Sequence, residues 1–274
     1  LAAGARSFAA ARQAAVQALC PGSDVAALLD KPNNNLAVEY CKAIIGQNVE
    51  MQPIALPRQG ADHGQALTES GHAAFASASA LRALWAEGGA AALAPYVPEK
   101  ALKLYKQAEY DGKYTDFAVM GHCELALLRA ACAGQAPFAA VRGVSEGLEH
   151  RLENAVRETA SLPALLDALT TVRYPRARMR RLAMDAALGY TAQTPALPPY
   201  LHLLGARKEA LPLLGETALP LPLSHSLARL ARENETCAQM AAAQSRASDL
   251  GALCRAKPEP MGGIYRQKII FLTN

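Results

Sequence analysis

Two hydroxyl groups and an arginine stand at the start of a predicted helix, in the segment Ser77-Ala78-Ser79-Ala80-Leu81-Arg82. Unpaired backbone N–H groups and the positive end of the helix dipole favour an anion at such a position. Arg82 lies one turn after Ser79 and can donate two hydrogen bonds to phosphate oxygens. The segment is therefore suited to the phosphates of a nucleotide, although an ordinary N-cap followed by a solvated arginine would have the same sequence.

Four residues before this segment are further candidates for the same site. Arg58 ends a predicted strand, Val49–Arg58, and ligands of open α/β sheets collect beyond the carboxyl ends of strands. Asn33 and Asn34 stand just before a predicted helix, where their amides can either cap the helix, which is commoner, or contact a base or ribose. His63, in the long loop after Arg58, is a weaker candidate for an acid, a base or a nucleotide contact.

The densest run of charge is Arg173-Tyr174-Pro175-Arg176-Ala177-Arg178-Met179-Arg180-Arg181, with five arginines and no acid. A helix that begins at Pro175 would point Arg178, Arg180 and Arg181 largely away from its buried stripe. That stripe is predicted to be Met179, Leu182, Ala183 and Ala186. Guanidinium groups on such a face fit a phosphate backbone, and Tyr174 can stack on a base. A solvated helix face that pairs with acids such as Glu149 and Glu153 explains the run equally well.

Composition and charge limit the class of protein. The chain has 274 residues, of which 51% are hydrophobic and 19% charged, so we expect a folded protein with a substantial core. No apolar stretch approaches the ~20 residues of a membrane span. The six cysteines are widely spaced without a Cys-x-x-Cys pair, which predicts buried thiols in the cytoplasm and no structural metal. The net charge is −1 over residues 1–141 and +5 over residues 142–274, so a polyanion surface is expected in the second half.

The predicted elements change in character along the chain. Residues 34–87 follow the order helix, strand, loop and helix, which is the end of an α/β domain whose other strands would precede Leu1. From Pro98 onward the pattern is mainly helical. The predicted helices are Glu99–Ala108, Thr115–Ala133, Glu146–Thr159, Leu162–Leu169, Pro175–Leu188 and His225–Leu253 with a break, and short strands are predicted at Tyr200–Leu204, Leu219–Leu223 and Tyr265–Leu272. We therefore predict two domains, one α/β over residues 1–95 and one mainly helical over residues 96–274.

An ordered series of short motifs carries a family resemblance, which is clearest between residues 31 and 205. The motifs are Pro32-Asn33-Asn34-x-Leu36, Pro53-Ile54 before Arg58-x-Gly60-Ala61, Ala76-Ser77-Ala78-Ser79-x-Leu81-Arg82, Tyr96-Val97-Pro98, Glu146-Gly147-Leu148-Glu149-His150-Arg151, Arg173-Tyr174-x-x-x-Arg178-x-x-Arg181 and Tyr200-Leu201-x-Leu203-Leu204-Gly205. In this order they resemble the bacterial tRNA(Met) cytidine acetate ligase family, whose members are similar to H-x-G-H nucleotidylyltransferases. The resemblance implies that the first domain is the C-terminal part of a Rossmann-like nucleotidyltransferase domain.

The resemblance also implies an activity. Members of the family use ATP to activate acetate as acetyl-adenylate and pass the acetyl group to N4 of the wobble cytidine of elongator methionine tRNA. ATP, with Mg²⁺, would be a substrate, and acetate and tRNA would be the partners. The implied ATP contacts are Asn33, Asn34, Arg58, Ser77, Ser79 and Arg82. The implied tRNA contacts are Arg173, Tyr174, Arg176, Arg178, Arg180 and Arg181.

The sequence departs from the family in one important respect, because none of its six histidines stands in an H-x-G-H segment. The chain thus looks like the family without its N-terminal nucleotide-binding half, and we do not expect it to form the adenylate alone. Two alternatives remain open at this point. One is a nucleotidyltransferase with another small acceptor, and the other is a non-catalytic RNA-binding module.

Overall fold

The computed structural model describes residues 8–29, 31–56, 76–216 and 218–272. The chain divides into two compact units, Leu1–Ala86 with Thr171–Arg173 and Glu87–Thr170 with Tyr174–Asn274. Helices form most of the described structure, with short parallel strands near the end of the chain. The expectation of helix-rich α/β content is confirmed, and the assignment of separate functions to residues 1–95 and 96–274 stays a prediction.

The first unit contains α1 (Phe8–Leu19), α2 (Val25–Leu28) and α3 (Pro32–Gly46). Helix α3 begins four residues before the predicted Leu36, because Pro32 occupies the first helical turn, where its missing N–H group costs nothing. Helix α4 (Ala78–Gly88) begins in this unit and ends in the next.

The predicted strand Val49–Arg58 is wrong for its described part. Residues 49–56 form neither strand nor helix, and the rest of the segment lies outside the described residues. A strand exists only with a hydrogen-bonded partner, and no described residue pairs with this segment. Its apolar side chains are open to solvent, with Ile54 80% and Leu56 86% exposed.

The first part of the second unit is a bundle of helices with an apolar core. After a 3₁₀ turn at Ala90–Leu93 come α5 (Glu99–Asp111), α6 (Phe117–Ala131), α7 (Leu148–Glu158), α8 (Leu162–Leu169) and α9 (Arg176–Ala187). Asp116 and Ser161 accept backbone hydrogen bonds at the starts of α6 and α8, which fixes where these helices begin. The core of α6 to α9 buries Leu128, Phe138, Leu152, Leu165, Leu169 and Met179, among others.

The end of the second unit carries two short parallel strand pairs. Strand β1 (Leu201–His202) pairs with β3 (Leu223–Ser224), and β2 (Gly205–Arg207) pairs with β4 (Ile270–Leu272). The helices in this region are α10 (Leu211–Glu216), α11 (Leu227–Leu230), α12 (Glu235–Leu253) and α13 (Gly263–Arg266). A second core joins Tyr200 to Leu227, Leu230, Cys237 and Ala241. Strands β1 and β4 lie within the predicted strands Tyr200–Leu204 and Tyr265–Leu272 and are shorter, the predicted strand Leu219–Leu223 overlaps β3 only at Leu223, and β2 was not predicted.

Candidate nucleic-acid interface

Helix α9 has the two faces that its sequence predicts. It packs against α6 and α8, and its four buried residues are Met179, Leu182, Ala183 and Ala186. Pro175 precedes the helix with an extended backbone (φ −60°, ψ 146°), so the helix begins at Arg176. The predicted stripe is confirmed, and burying it leaves the arginines between these positions on the outside of the bundle.

The arginines of α9 are exposed and mostly not neutralised. Arg176 forms an ion pair with Asp167 of α8. Arg178 and Arg181 form no ion pair with an acid within the described ranges, and Arg180 interacts with an acid only through the longer-range attraction that lowers the pKa of Glu124 on α6. Because unpaired guanidinium groups keep their full donor capacity, this face can bind several phosphates.

Glu149 and Glu153, the acids named as examples for a paired and solvated face, form no ion pair with α9 in the described structure. Glu153 lies one turn from Arg157 on α7, and its carboxylate accepts from that guanidinium at 2.7 Å. The nearest ionisable partner of Glu149 is His150, at 3.9 Å. These contacts of both acids are therefore to residues of α7, and the Glu153–Arg157 pair has the i,i+4 spacing that brings side chains together on one helix.

Tyr174 lies two residues before the first residue of α9, and two side chains contact it. Its hydroxyl donates to Oε2 of Glu146 at 3.0 Å. The guanidinium carbon of Arg178 lies 5.1 Å from the centre of its ring, which is within the range of a cation–π contact. An aromatic ring is thus fixed beside an unpaired arginine, as a base and its phosphate would require. Arg173 is also exposed and belongs to the first unit.

Glu124 of α6 is a buried carboxyl that the sequence did not single out. It is 1% exposed, and its Oε1 has no hydrogen-bond partner in the part of the chain that the structure describes. Burial raises the pKa of this carboxyl to about 7, against a smaller lowering by Arg180. The sequence does contain a signal for this burial. Glu124 lies four residues before the buried Leu128 and therefore on the same face of α6.

The predicted nucleotide contacts that are described lie in the first unit. Ser77 is buried, and its hydroxyl accepts from the backbone N–H of Ala80 at 3.2 Å and contacts the hydroxyl of Ser79 at 3.0 Å. Ser77 therefore acts as a helix cap, as the alternative interpretation expected. Ser79 and Arg82 are exposed and can contact a phosphate group.

The two asparagines do not stand before a helix, as the sequence suggested, but inside the first turn of α3. The N-cap position is Lys31, with no side-chain cap, so neither Asn33 nor Asn34 caps the helix. It is Asn35 whose amide donates to the carbonyl of Leu29, at 2.6 Å. Asn33 is exposed and keeps its amide available for a ligand. Arg58 and His63 lie outside the described residues.

Metal-binding clusters and membrane-spanning helices are both absent from the described residues. No group of three His, Cys, Asp or Glu residues there can hold a metal ion. His122 places Nδ1 2.9 Å from the carbonyl oxygen of Ala118, while Cys123 contacts Cys254. Across residues 8–29, 31–56, 76–216 and 218–272, no helix combines the length and the apolar character of a membrane span.

The fold defines a class, the helix-rich α/β proteins with a nucleotidyltransferase-like fold. Two crystal structures of Thermotoga maritima TmcAL share this fold at 20% sequence identity. The apo form has a TM-score of 0.81 and the form bound with alpha-thio ATP 0.80. The alignments cover 97% of this chain and 66% or 67% of the other chain.

The chain belongs to the HIGH nucleotidyl transferase family, whose model matches residues 2–262. Its curated relatives include tRNA(Met) cytidine acetate ligases. The Listeria monocytogenes protein is 30% identical over 183 residues, which is 66% of this chain and 45% of that protein. The Geobacillus protein is 28% identical over 212 residues, which is 74% of this chain and 51% of that protein. The resemblance is confirmed, and the chain spans about half the length of the curated relatives it matches.

Proposed function

We propose that this chain is part of an ATP-dependent tRNA(Met) cytidine acetate ligase and that α9 supplies part of its tRNA contact. The observation that carries the proposal is the exposed face of Arg178, Arg180 and Arg181, none of which forms an ion pair with an acid in the described structure. A polyanion such as tRNA would neutralise this face, and the curated relatives carry the name of a tRNA-modifying enzyme.

The proposed reaction has two steps. A carboxylate oxygen of acetate attacks the α-phosphorus of ATP, the bond to pyrophosphate breaks, and acetyl-adenylate forms. The N4 amine of cytidine then attacks the acetyl carbon, the bond to AMP breaks, and N4 loses a proton. Such chemistry needs stabilisation of phosphate charge rather than a protein nucleophile.

Within this scheme the described residues bind and orient the substrates. Ser79 and Arg82 would contact nucleotide phosphates at the start of α4, while the α9 arginines hold the tRNA backbone. Magnesium would accompany ATP. The described residues offer no group of three metal-binding side chains, so we assign no ligand to it.

The RNA contact is tested with the double variant Arg178→Ala/Arg181→Ala. Binding to a methionine tRNA transcript is measured by fluorescence anisotropy between 50 and 300 mM salt. Each phosphate contact adds about 0.7–0.9 to the slope of log affinity against log salt, so losing two contacts should lower the slope by roughly 1–2.

The matched control is Lys100→Ala/Lys106→Ala, which removes two exposed positive charges from α5. We expect this variant to keep the slope of the unmodified chain. An unchanged slope in the arginine variant would show that those arginines are merely solvated, and the tRNA contact on α9 would be withdrawn.

The enzymatic part is tested with the complete reading frame of the gene, by following labelled acetate into methionine tRNA with ATP present. The proposal predicts ATP-dependent acetylation, which the arginine variant impairs through KM more than through kcat. ATP turnover without tRNA affinity would instead favour a small acceptor.

A second candidate is a non-catalytic RNA-binding module, in which the exposed arginines of α9 bind RNA without an enzymatic step, and a gene whose upstream sequence encodes no His-x-Gly-His would favour it. It would replace the enzyme if tRNA binds and no acetylated product forms.

A further inference from the structure

Two aromatic rings and a lysine line a cavity near the end of the second unit. The cavity measures about 520 Å³, and its lining includes Tyr265, Lys268 and Phe271 together with His225. None of its lining residues is an acid. A lining that carries positive charge without an acid attracts an anion, and the exposed face of an aromatic ring favours a flat, unsaturated group.

The fold holds both rings in the open. Tyr265 is 40% exposed and belongs to α13, whose neighbouring residue Ile264 packs against the second core. Phe271 is 42% exposed and is the middle residue of β4, opposite Ala206 of β2. Because their backbones are fixed in this way, the two rings can contact a ligand with little further loss of conformational freedom.

Two lysines accompany the rings. Nζ of Lys208 lies 5.5 Å from the centre of the Phe271 ring, which is within the range of a cation–π contact. Lys208 is not among the residues that line the cavity, so Phe271 keeps its cavity side for a ligand. Lys208 and Lys268 are exposed, and neither forms an ion pair with an acid within the described ranges. Their charges are therefore available to phosphate groups.

This combination fits an unpaired strand of RNA better than a membrane or a peptide. Proteins that bind single strands without sequence preference stack the bases on aromatic rings and hold the backbone with positive charge. Only unpaired bases present their faces to such rings. Helix α13 has four residues, too few for a helix that lies in a membrane surface, and β4 has three, so its edge offers few hydrogen bonds to an added peptide strand.

We propose that this cavity, with Lys208 beside it, forms a second RNA contact, which binds an unpaired segment of strand without selecting its bases. Bases stack on Phe271 and Tyr265, while Lys208 and Lys268 contact the phosphates. The proposal rests on the proposed function only for the choice of RNA, because ATP, acetate and the arginines of α9 take no part in it.

The test measures binding of a fluorescein-labelled uridine decamer to the folded chain by fluorescence anisotropy. Phe271→Ala should weaken binding roughly 5- to 150-fold, the range for the loss of one stacked base. Phe271→Trp keeps an aromatic ring and should retain the affinity, whereas Phe271→Leu, which keeps only apolar volume, should lose it. Lys268→Ala should lower the slope of log affinity against log salt by about 0.7, the value for one phosphate of a single strand.

Three controls separate stacking from other causes. Phe117→Ala removes an exposed ring of α6 that does not line the cavity, and it should bind the decamer as the unmodified chain does. Inorganic polyphosphate, which has charge but no bases, should bind Phe271→Ala and the unmodified chain equally. Decamer affinity retained in Phe271→Leu, or equal weakening for polyphosphate and decamer, overturns the stacking. Binding to phosphatidylserine vesicles that Phe271→Leu retains would assign the surface to a membrane and overturn the RNA contact.

The arginine variant of α9 separates this proposal from the proposed function. In the Arg178→Ala/Arg181→Ala background, Phe271→Ala should still weaken decamer binding. Such a result supports the second contact even where the tRNA salt slope gives no sign of a contact on α9. No effect of Phe271→Ala in either background overturns the second contact and leaves the α9 contact standing.

Discussion

Arg142 binds both carboxylate oxygens of Asp185, with Nε to Oδ2 at 2.9 Å and Nη2 to Oδ1 at 2.7 Å. Asp185 lies in the last turn of α9, where the negative end of the helix dipole disfavours an acid. The guanidinium offsets that effect, and the hydrogen bonds that it donates to Asp185 raise the pKa of Arg142. The ion pair therefore connects the C-terminal end of α9 to the loop before α7.

Breaking the ion pair between Arg142 and Asp185 should destabilise the second unit. We expect Asp185→Ala to lower the free energy of unfolding by about 1–2 kcal/mol, because two charge-assisted hydrogen bonds are lost at a half-buried site. Urea denaturation followed by circular dichroism measures the change. Glu99→Ala breaks an exposed pair with Lys103 and should cost less than about 0.5 kcal/mol. Equal losses in the two variants would contradict the role given to Arg142.

Glu124 should make the stability depend on pH. Its pKa in the folded protein is about 7, above the ordinary value of 4.5, so folding favours the protonated form. The stabilising contribution is therefore complete below pH 4.5 and is lost as the pH rises through 7. Glu124→Gln stays neutral and should exceed the unmodified protein in stability at pH 8 by on the order of 2 kcal/mol.

The measurement for Glu124 is the free energy of unfolding in urea at pH 5, 6, 7 and 8. The difference between Glu124→Gln and the unmodified chain should grow across this range. Glu99→Gln, at an exposed position of α5, serves as the control and should give a constant difference. A constant difference for Glu124→Gln as well would show that the carboxyl is ionised throughout.

Cys254 should resist alkylation in the folded protein. It is fully buried, and burial together with the neighbouring Cys123 raises its pKa to about 11. Since the thiolate is the reactive form, only about 0.1% would be available at pH 8. N-ethylmaleimide followed by peptide mass spectrometry should modify the exposed Cys20 first and Cys254 only in urea. Equal rates of alkylation at Cys20 and Cys254 in the native protein would show that Cys254 is not buried.

The local pattern of apolar and capping residues was sufficient to predict much of the helical structure. The prediction of α8 at Leu162–Leu169 agrees with the structure at both ends, because Ser161 gives a clear cap and the leucines give a clear period. The buried stripe of α9 was likewise visible from spacing alone. What one helix buries depends mainly on its own sequence, so such features can be predicted from a single chain.

Contacts between distant residues could not be predicted in this way. The hydrogen bond between Tyr174 and Glu146 joins the segment before α9 to the segment before α7, and the strands of each parallel pair lie far apart in sequence. The expected strand before Arg58 shows the opposite error, since an apolar segment without a pairing partner does not form a strand. The hydrophobic pattern of a helix or strand indicates which of its faces is apolar, but it does not indicate which other element packs against that face.

The core of α6 to α9 has a consequence for how the molecule forms. All of its buried residues come from one continuous stretch, Leu125 to Ala186, whereas β2 pairs with residues near the end of the described chain. Contacts that are local in sequence form faster than distant ones. During synthesis we therefore expect the helical core to fold on the ribosome before the β2–β4 pair closes. The arginine face of α9 would then meet the RNA-rich ribosome surface while the rest of the chain is still being made.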